Sequence, residues 1–138
     1  MQEPPSLIRN IFSQAFNQGD LAVVDQLVSV DAITHLASWG LPARRTGLKQ
    51  LIVLLRAAFP DLHCTVEDEI FAGGNIAVHW TMRGTHRGAF LGNQPTGRSF
   101  QVEGMRFANT ENGRIVEYWT LLDQMGILQQ LGFIPPPS

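Results

Sequence analysis

Residues 62–83 read LHCTVEDEIFAGGNIAVHWTMR, and their pattern defines the architecture of the chain. Leu62 to Ala72 is rich in residues that favour a strand, and the turn Gly73-Gly74-Asn75 follows it. From Ile76 to Arg83, apolar residues alternate with more polar ones, which is typical of a half-buried strand. The residues predicted to face the core are Ile76, Val78, Trp80 and Met82. The stretch therefore predicts an antiparallel hairpin.

A second strand pair follows the hairpin. Phe100 to Asn109 has the composition of a strand, and Thr110 to Gly113 forms a turn that contains the pair Asn-Gly, which tolerates positive φ. Arg114 to Leu122 is the predicted partner strand. Everything after Pro60 is therefore expected to be mostly antiparallel sheet.

The part of the chain before Pro60 is predicted to be helical, with one short strand over Val30 to Leu36. The predicted helices begin at Ser6, Asp20 and Thr46 and end at Gly19, Val28 and Pro60. Three N-terminal helices against one long sheet define an α+β fold. A sheet that bends around its helices forms a cone with a pocket inside.

The composition favours one domain and a small-molecule partner. The 138 residues are enough for a single domain over residues 1–138, with a core of about 6–133. A net charge of −2 with scattered arginines gives no footprint for nucleic acid or an anionic membrane. Cys64 has no second cysteine, and the four histidines lack CxxC or HExxH spacing, so no metal or other cofactor is expected. With no apolar leader or span, we expect a cytoplasmic protein.

Asp123 is the first candidate for chemistry. It follows the apolar strand that carries Trp119, within GRIVEYWTLLDQMGILQQLG at residues 113–132. A carboxylate beside a tryptophan in a poorly hydrated place can serve as a general acid or base without a metal. If the strand is regular, Trp119 and Asp123 share a face. The open alternative is that Asp123 only caps a short helix from Gln124 to Leu131, which Gly132 would end.

A longer run of motifs resembles a known family. The motifs are AFPD at 58–61, GTHRG at 84–88, PTGR at 95–98, GRI at 113–115 with Trp119 and Asp123, and QLG at 130–132. In this order and spacing they resemble the SnoaL-like polyketide cyclases, also called ester cyclases, and His35 after Asp31-Ala32-Ile33 also matches. The resemblance implies the cone fold of ketosteroid isomerase and nuclear transport factor 2, as a homodimer packed through the sheet.

The resemblance also implies an activity. Characterised members close the last ring of an aromatic polyketide ester by a cofactor-free intramolecular aldol condensation, which is chemistry of the lyase or isomerase type. Asp123 matches the acid/base aspartate of the family. His86 matches a histidine that could donate a hydrogen bond to the developing oxyanion or orient the aspartate. From the residues alone, His86 could also be a loop residue on the surface.

Other side chains are candidates for substrate binding. Trp80 and Trp119 could line the pocket, while His35 and Trp39, near the end of the short strand, could close its mouth. Four arginines could hold a carboxylate or phenolate group, although surface positions are expected for them: Arg83, Arg87, Arg98 and Arg106. The acidic run Glu67 to Glu69 is expected to lie on a solvated or interface face, with its central residue on the opposite face from its neighbours.

Three functional hypotheses remain open at the level of sequence. The first is an acid/base enzyme on an apolar oxygenated molecule, most concretely an aldol cyclase. The second is another acid/base reaction in the same pocket, such as isomerisation, dehydration or hydrolysis. The third is a non-catalytic module that binds a small molecule, because one fold can carry many functions.

Overall fold

The computed structural model describes residues 4–35 and 40–136, with side chains from Leu7 onward. The helices are α1 (Pro4–Asn10), which continues as a π-helical segment (Ile11–Phe16), α2 (Ala22–Leu27), α3 (Arg45–Ala58) and α4 (Gln124–Leu131). The strands are β1 (Val28–His35), β2 (His63–Ala72), β3 (Asn75–Thr85), β4 (Ser99–Glu111) and β5 (Arg114–Leu122). The predicted elements are thus present, with boundaries that differ by a few residues.

The five strands form one sheet in the order β1-β5-β4-β3-β2. All neighbours pair antiparallel except β1 and β5, which pair parallel. The hairpin predicted around residue 74 is confirmed, and the β4–β5 turn has positive φ at both Asn112 and Gly113, 52° and 74°. The predicted α+β cone with a curved, mostly antiparallel sheet is therefore confirmed.

The core lies between the inner face of the sheet and the helices. Every second residue of β3 from Ile76 to Gly84 is buried, and β4 repeats this alternation from Phe100 to Ala108. Helix α3 meets them with a stripe at three- and four-residue spacing: Leu48, Leu51, Ile52 and Leu55. We call this side of the sheet the inner face and the opposite side the outer face.

The first helix begins two residues before the predicted N-cap Ser6, at Pro4. Proline is tolerated in a first helical turn because the N–H that it lacks would have no helical partner there. The prediction that Asp20 is the N-cap of the second helix is wrong, because Leu21 holds that position, although Asp20 Oδ1 accepts a hydrogen bond from the Ala22 N–H at 3.1 Å beside it. No helix within residues 4–35 and 40–136 is long and apolar enough to cross a bilayer.

Helix α4 provides hydrogen bonds to β4 beyond the end of β5. The Gln130 side chain accepts a hydrogen bond from the Gln101 N–H at 2.8 Å and donates one to the Gln101 carbonyl at 3.0 Å. An amide side chain thereby replaces the missing strand neighbour of β4. Gly132 ends α4 in the left-handed conformation, with φ of 86°, as the sequence predicts.

The last strand is not regular. The pairing of β5 with β4 shifts between Asn109 and Thr110, because Ile115 and Glu117 pair with consecutive residues and Val116 is left over. Such a bulge exchanges the faces of all later residues. Tyr118 consequently faces inward and is buried, while Trp119 faces outward.

A second bulge alters the acidic run of β2. Val66 pairs with Trp80 and Asp68 pairs with His79, so Glu67 is the extra residue. Glu69 then pairs with the inward-facing Val78, and its side chain is only 9% exposed. The expectation that the whole run lies on a solvated or interface face is therefore wrong for Glu69.

Candidate functional site

Three polar side chains converge on the inner face at the centre of the sheet. Trp80 on β3, Arg106 on β4 and Tyr118 on β5 are all buried. Arg106 lies opposite Val78 and Thr120 in the two neighbouring strands. We call Trp80, Arg106 and Tyr118 the inner donor cluster, because each offers N–H or O–H groups.

Gly104 makes room for the cluster. It pairs with Trp80 across the strands, and a Cβ built on it would lie 2.6 Å from Cζ2 of that indole. The ring therefore lies directly over the glycine backbone. A larger residue at this position would have to displace the indole or bend β4.

Arg106 is buried without a carboxylate partner. The residue is 4% exposed, and its Nε–H donates to Oγ1 of Thr120 at 3.0 Å. The guanidinium carbon lies 4.8 to 5.7 Å from the centroids of four rings, those of Phe12, Phe16, Trp80 and Tyr118. No ion pair joins it to an acidic residue in the described part of the chain. Burial lowers the pKa of Arg106 from its ordinary value, against the attraction of Tyr118 and Cys64.

The other two members of the cluster carry donors that are not used. The Tyr118 hydroxyl and the Trp80 Nε1 are buried and find no hydrogen-bond partner among residues 4–35 and 40–136. Burial raises the pKa of Tyr118 to about 12, although the nearby Arg106 opposes the rise, so the hydroxyl keeps its proton at neutral pH. Buried donors are nearly always satisfied in folded proteins, so these two point to a missing acceptor.

Cys64 lies close to the cluster and is chemically inert. It is buried, and burial raises the pKa of its thiol to about 12 despite the attraction of Arg106. A thiol that keeps its proton is a poor nucleophile. Cys64 therefore acts as a small apolar side chain at this site.

His86 is fully buried in a separate aromatic pocket. Its ring lies 5.5 Å from Phe133, 6.0 Å from Phe59 and 6.4 Å from Phe90, measured between ring centroids. The Thr96 N–H donates to its Nδ1 at 3.1 Å, which in a neutral imidazole places the proton on Nε2. This Nε2 is buried and has no partner in the described residues. The alternative of a surface loop residue is wrong, and its catalytic role stays a prediction.

Asp123 occupies the N-cap of α4. Its Oδ1 accepts a hydrogen bond from the Gly126 N–H at 2.8 Å, and the residue is exposed. It lines an open groove of about 390 Å³ together with outward-facing His79, Glu103 and Leu121. The aromatic pocket of His86 is not part of this groove. The structure thus gives Asp123 the capping contact and does not bring it together with His86.

Trp119 and His35 form a pair on the outer face. Their rings stack in parallel, with centroids 4.8 Å apart and an angle of 4° between the planes. His35 Nε2 also lies 2.8 Å from Oε2 of Glu117. Because the bulge at Val116 reverses the faces of β5, Trp119 does not line the inner wall with Trp80 as the sequence suggests. The predicted binding residue Trp39 lies outside the described residues.

Sequence reasoning placed Arg106 at the surface, and the signal that could have corrected this was present. Phe100, Val102, Gly104, Arg106 and Ala108 follow the same alternation, so the apolar neighbours place the arginine on the buried face. Glu69 gave no comparable signal, because its burial depends on the bulge in β2. Its Oε1 accepts from Arg9 Nε at 3.2 Å, and its Oε2 is buried with no partner in the described chain.

The chain belongs to the SnoaL-like polyketide cyclase family, whose model matches residues 6–131. Within residues 4–35 and 40–136, no three His, Cys, Asp or Glu side chains are grouped closely enough to hold a metal ion. No protein with a curated description matches the chain significantly.

Solved structures support the same assignment. IdmH from Streptomyces antibioticus, provisionally assigned as a polyketide cyclase, is 34% identical with a TM-score of 0.85, over 95% of this chain and 99% of that one. TsrD from Streptomyces laurentii is 23% identical with a TM-score of 0.84, over 94% of each chain. A SnoaL-like protein from Jannaschia is 20% identical with a TM-score of 0.79, over 99% of each chain. The last two show the fold of nuclear transport factor 2 alone.

Proposed function

We propose that this chain is a cofactor-independent polyketide cyclase that closes a ring in an apolar, oxygen-rich small molecule. The most concrete reaction is an intramolecular aldol condensation. The observation that supports it most is the inner donor cluster, in which two buried donors, Trp80 Nε1–H and Tyr118 O–H, have no partner among the described residues and lie beside a buried cation. Such groups stabilise negative charge on oxygen far better in a dry interior than in water.

The chemistry follows from these donors. A base removes a proton from a methylene flanked by carbonyls, and the enolate oxygen receives hydrogen bonds from the cluster. The enolate carbon then attacks a ketone of the same molecule, one C–C bond forms, and the new alkoxide takes up a proton. No atoms are lost in the addition, and holding both carbons of one substrate in place removes much of the entropic barrier.

Asp123 is our proposed acid/base residue on the strength of the family match alone, because in this structure it lines the groove of the outward-facing side chains, whereas the inner donor cluster lies on the opposite face of the sheet. One of its oxygens holds α4, which leaves Oδ2 without a hydrogen bond from the described chain. Glu69 is the competing carboxylate, since it faces inward and its Oε2 is buried with no partner in the part of the chain that the structure describes. His86, with Nε2–H unused, is proposed to donate a hydrogen bond to another substrate oxygen.

The test measures the turnover of Asp123 and Glu69 variants on a panel of aromatic polyketide esters with an acidic methylene. Liquid chromatography and mass spectrometry identify the products. Ring closure by aldol addition gives a product of unchanged mass, and a condensation that goes on to lose water gives a cyclic product lighter by one water. Dehydration without ring closure gives an open-chain product of that lower mass, and hydrolysis adds one water. We expect Asp123→Asn to lower turnover by about 10²-fold or more, the usual size of a general-base contribution. Glu69→Gln, the matched control, should keep most of the activity.

Measurements of stability distinguish a catalytic role of Asp123 from its role as a helix cap. Asparagine caps a helix nearly as well as aspartate, so Asp123→Asn should unfold at the wild-type urea concentration, whereas Asp123→Ala should lose about 1 kcal/mol. An Asp123→Asn variant with full activity would contradict the assignment, as would a dead Glu69→Gln. A wild-type protein that retains a ligand but converts no ester would favour the binding module.

We also propose that the outer face binds a second copy of the chain, which would then lie beside the groove of Asp123, since Met105 and Leu121 belong to both surfaces. Four large apolar residues are exposed there in adjacent strands and form the outer-face patch: Met105, Phe107, Trp119 and Leu121. Exposed apolar patches on a sheet commonly mark association surfaces. Light scattering after size exclusion should give the mass of a dimer for the wild type and of a monomer for Leu121→Glu. A wild type that stays monomeric at high concentration would contradict this.

A further inference from the structure

We infer that the inner donor cluster is a binding site for an anionic oxygen, so that the substrates of this chain carry a carboxylate or an ionised 1,3-dicarbonyl group on an apolar body. The inference rests on the proposed function in placing the substrate on the inner face. It goes further by naming the substrate group and the residue that selects it, Arg106.

The charge of Arg106 has no oppositely charged partner among residues 4–35 and 40–136. A guanidinium has five N–H donors, and the one hydrogen bond that Arg106 makes within the described part of the chain uses Nε–H, to the neutral hydroxyl of Thr120. The ionisable groups that act on it electrostatically are Tyr118 and Cys64. Burial keeps both of these protonated and neutral, because it raises the pKa of each to about 12. The terminal nitrogens therefore remain available to an anion.

The surrounding rings do not replace that anion. Phe12, Phe16, Trp80 and Tyr118 surround the guanidinium carbon at 4.8 to 5.7 Å and contribute cation–π attraction. Such contacts are weak beside the loss of hydration that a buried full charge suffers. The rings exclude water and hold the planar group in place, and both effects strengthen a later hydrogen bond to an anionic oxygen.

The inward-facing carboxylate of Glu69 does not neutralise the site either. In the strand register, Glu69 pairs with Val78 and Val78 pairs with Arg106, so the two charged residues lie two strands apart. Glu69 is paired instead with Arg9 from α1, at 3.2 Å.

The cluster favours an acceptor because each of its unused groups can donate and only the Tyr118 hydroxyl can also accept. Arg106 can hold two oxygens of a planar anion in a bidentate contact, and Tyr118 O–H and Trp80 N–H add neutral donors beside it. A carboxylate and an ionised 1,3-dicarbonyl both spread one negative charge over two oxygens in a plane. A ligand with only neutral amide groups would leave the charge of Arg106 uncompensated.

The experiment measures binding to the full-length chain by isothermal titration, with matched pairs of probes. The first pair is 2-naphthoate and uncharged 2-naphthamide, and the second is ionised 5,5-dimethyl-1,3-cyclohexanedione and its neutral O-methyl enol ether. The wild type should bind each anion about tenfold or more tightly than its neutral partner, as expected for one charge-assisted pair. The two anions distinguish a carboxylate substrate from an enolate substrate.

Three variants test which residue causes the preference for anions. Arg106→Gln should remove the preference for the anion, Tyr118→Phe should reduce it severalfold, and Arg83→Gln, on an exposed outward position of β3, should leave it unchanged. Equal binding of acid and amide by the wild type would overturn the inference, and so would a preference that survives Arg106→Gln. The wild-type comparison and Tyr118→Phe decide the matter even if the arginine variant does not fold.

A thermal measurement separates a ligand-binding arginine from a structural one. Replacing an unpaired buried charge by an apolar residue of similar length should not weaken the free protein, so Arg106→Met should keep or raise its Tm, and 2-naphthoate should raise Tm only in the wild type. A large fall in Tm would mark Arg106 as a structural cation and overturn the inference. Neither the binding measurement nor the thermal measurement requires turnover. A protein that prefers anions but converts no ester would therefore contradict the proposed cyclase activity and leave the anion site supported.

Discussion

The outer and inner faces of the sheet both carry charged side chains, and the two faces differ in whether these side chains have partners of opposite charge within the described chain. On the outer face, His35 pairs with Glu117, and His79 lies within 3.5 Å of both Asp68 and Glu103. On the inner face, Arg106 has no acidic partner in the described chain. Charges that water can reach gain little from pairing, whereas a buried charge without a partner is expensive unless something compensates it. The outer charges are therefore complete in the protein alone, and the inner one fits a site that a ligand completes.

The two tryptophans offer the sharpest test of this comparison. Trp80 is 1% exposed and packs against Phe12 at 4.8 Å, while Trp119 is 39% exposed. We expect Trp80→Ala to lower the free energy of unfolding by about 3–5 kcal/mol and Trp119→Ala by less than about 1 kcal/mol. Urea unfolding at a concentration where the chain is monomeric measures both. Similar losses in the two variants would show that the faces do not differ as described.

Neighbouring positions on β4 should differ by a smaller amount. Gly104→Ala places a methyl group against the Trp80 ring, and overpacking of this kind costs about 1–3 kcal/mol. Met105→Ala, its control on the outer face, removes a side chain that is already 54% exposed and should change stability by less than about 0.5 kcal/mol. Chemical unfolding of the pair checks this. A Gly104→Ala variant as stable as the wild type would mean that the indole moves freely.

The smallest expected effect is a pH dependence of stability that arises from His79 on the outer face. Hydrogen bonds to Glu103 and then Asp68 raise the pKa of His79 above its ordinary value of 6.5. A raised pKa means that the folded state favours the protonated ring. The resulting stability is fully present below the unfolded pKa and is lost as pH rises through the folded one. The Tm difference between wild type and His79→Gln should therefore be larger at about pH 5.5 than at about pH 8.5. A constant difference would contradict the ion pairs.

Much of the fold could be predicted because the signals are local. Alternation over Ile76 to Arg83 predicts β3, and the pair Asn112-Gly113 predicts the following turn because both residues adopt positive φ. The capping of α4 by Asp123 and its end at Gly132 depend on only a few neighbouring residues. The predicted boundaries moved by a few residues where strands were extended by pairing, as in β4.

The site was harder to predict because burial in a sheet depends on register. The bulges at Glu67 and Val116 leave no mark in a single sequence, yet each reverses the faces of the residues that follow. They bring Glu69 and Tyr118 inward and turn Trp119 outward. The catalytic roles of Asp123 and His86 stay predictions, since only activity measurements can test them.

The sequence by itself determined the order of helices and strands, their caps and the family, because propensity, spacing and motifs are properties of short segments. Only the tertiary structure decided which side chains share an interior. Arg106, Tyr118 and Trp80 come from three strands, and their burial depends on strand pairing and on the helix that covers them. A charge becomes costly, and a donor becomes available to a ligand, only when distant parts of the chain exclude water from it.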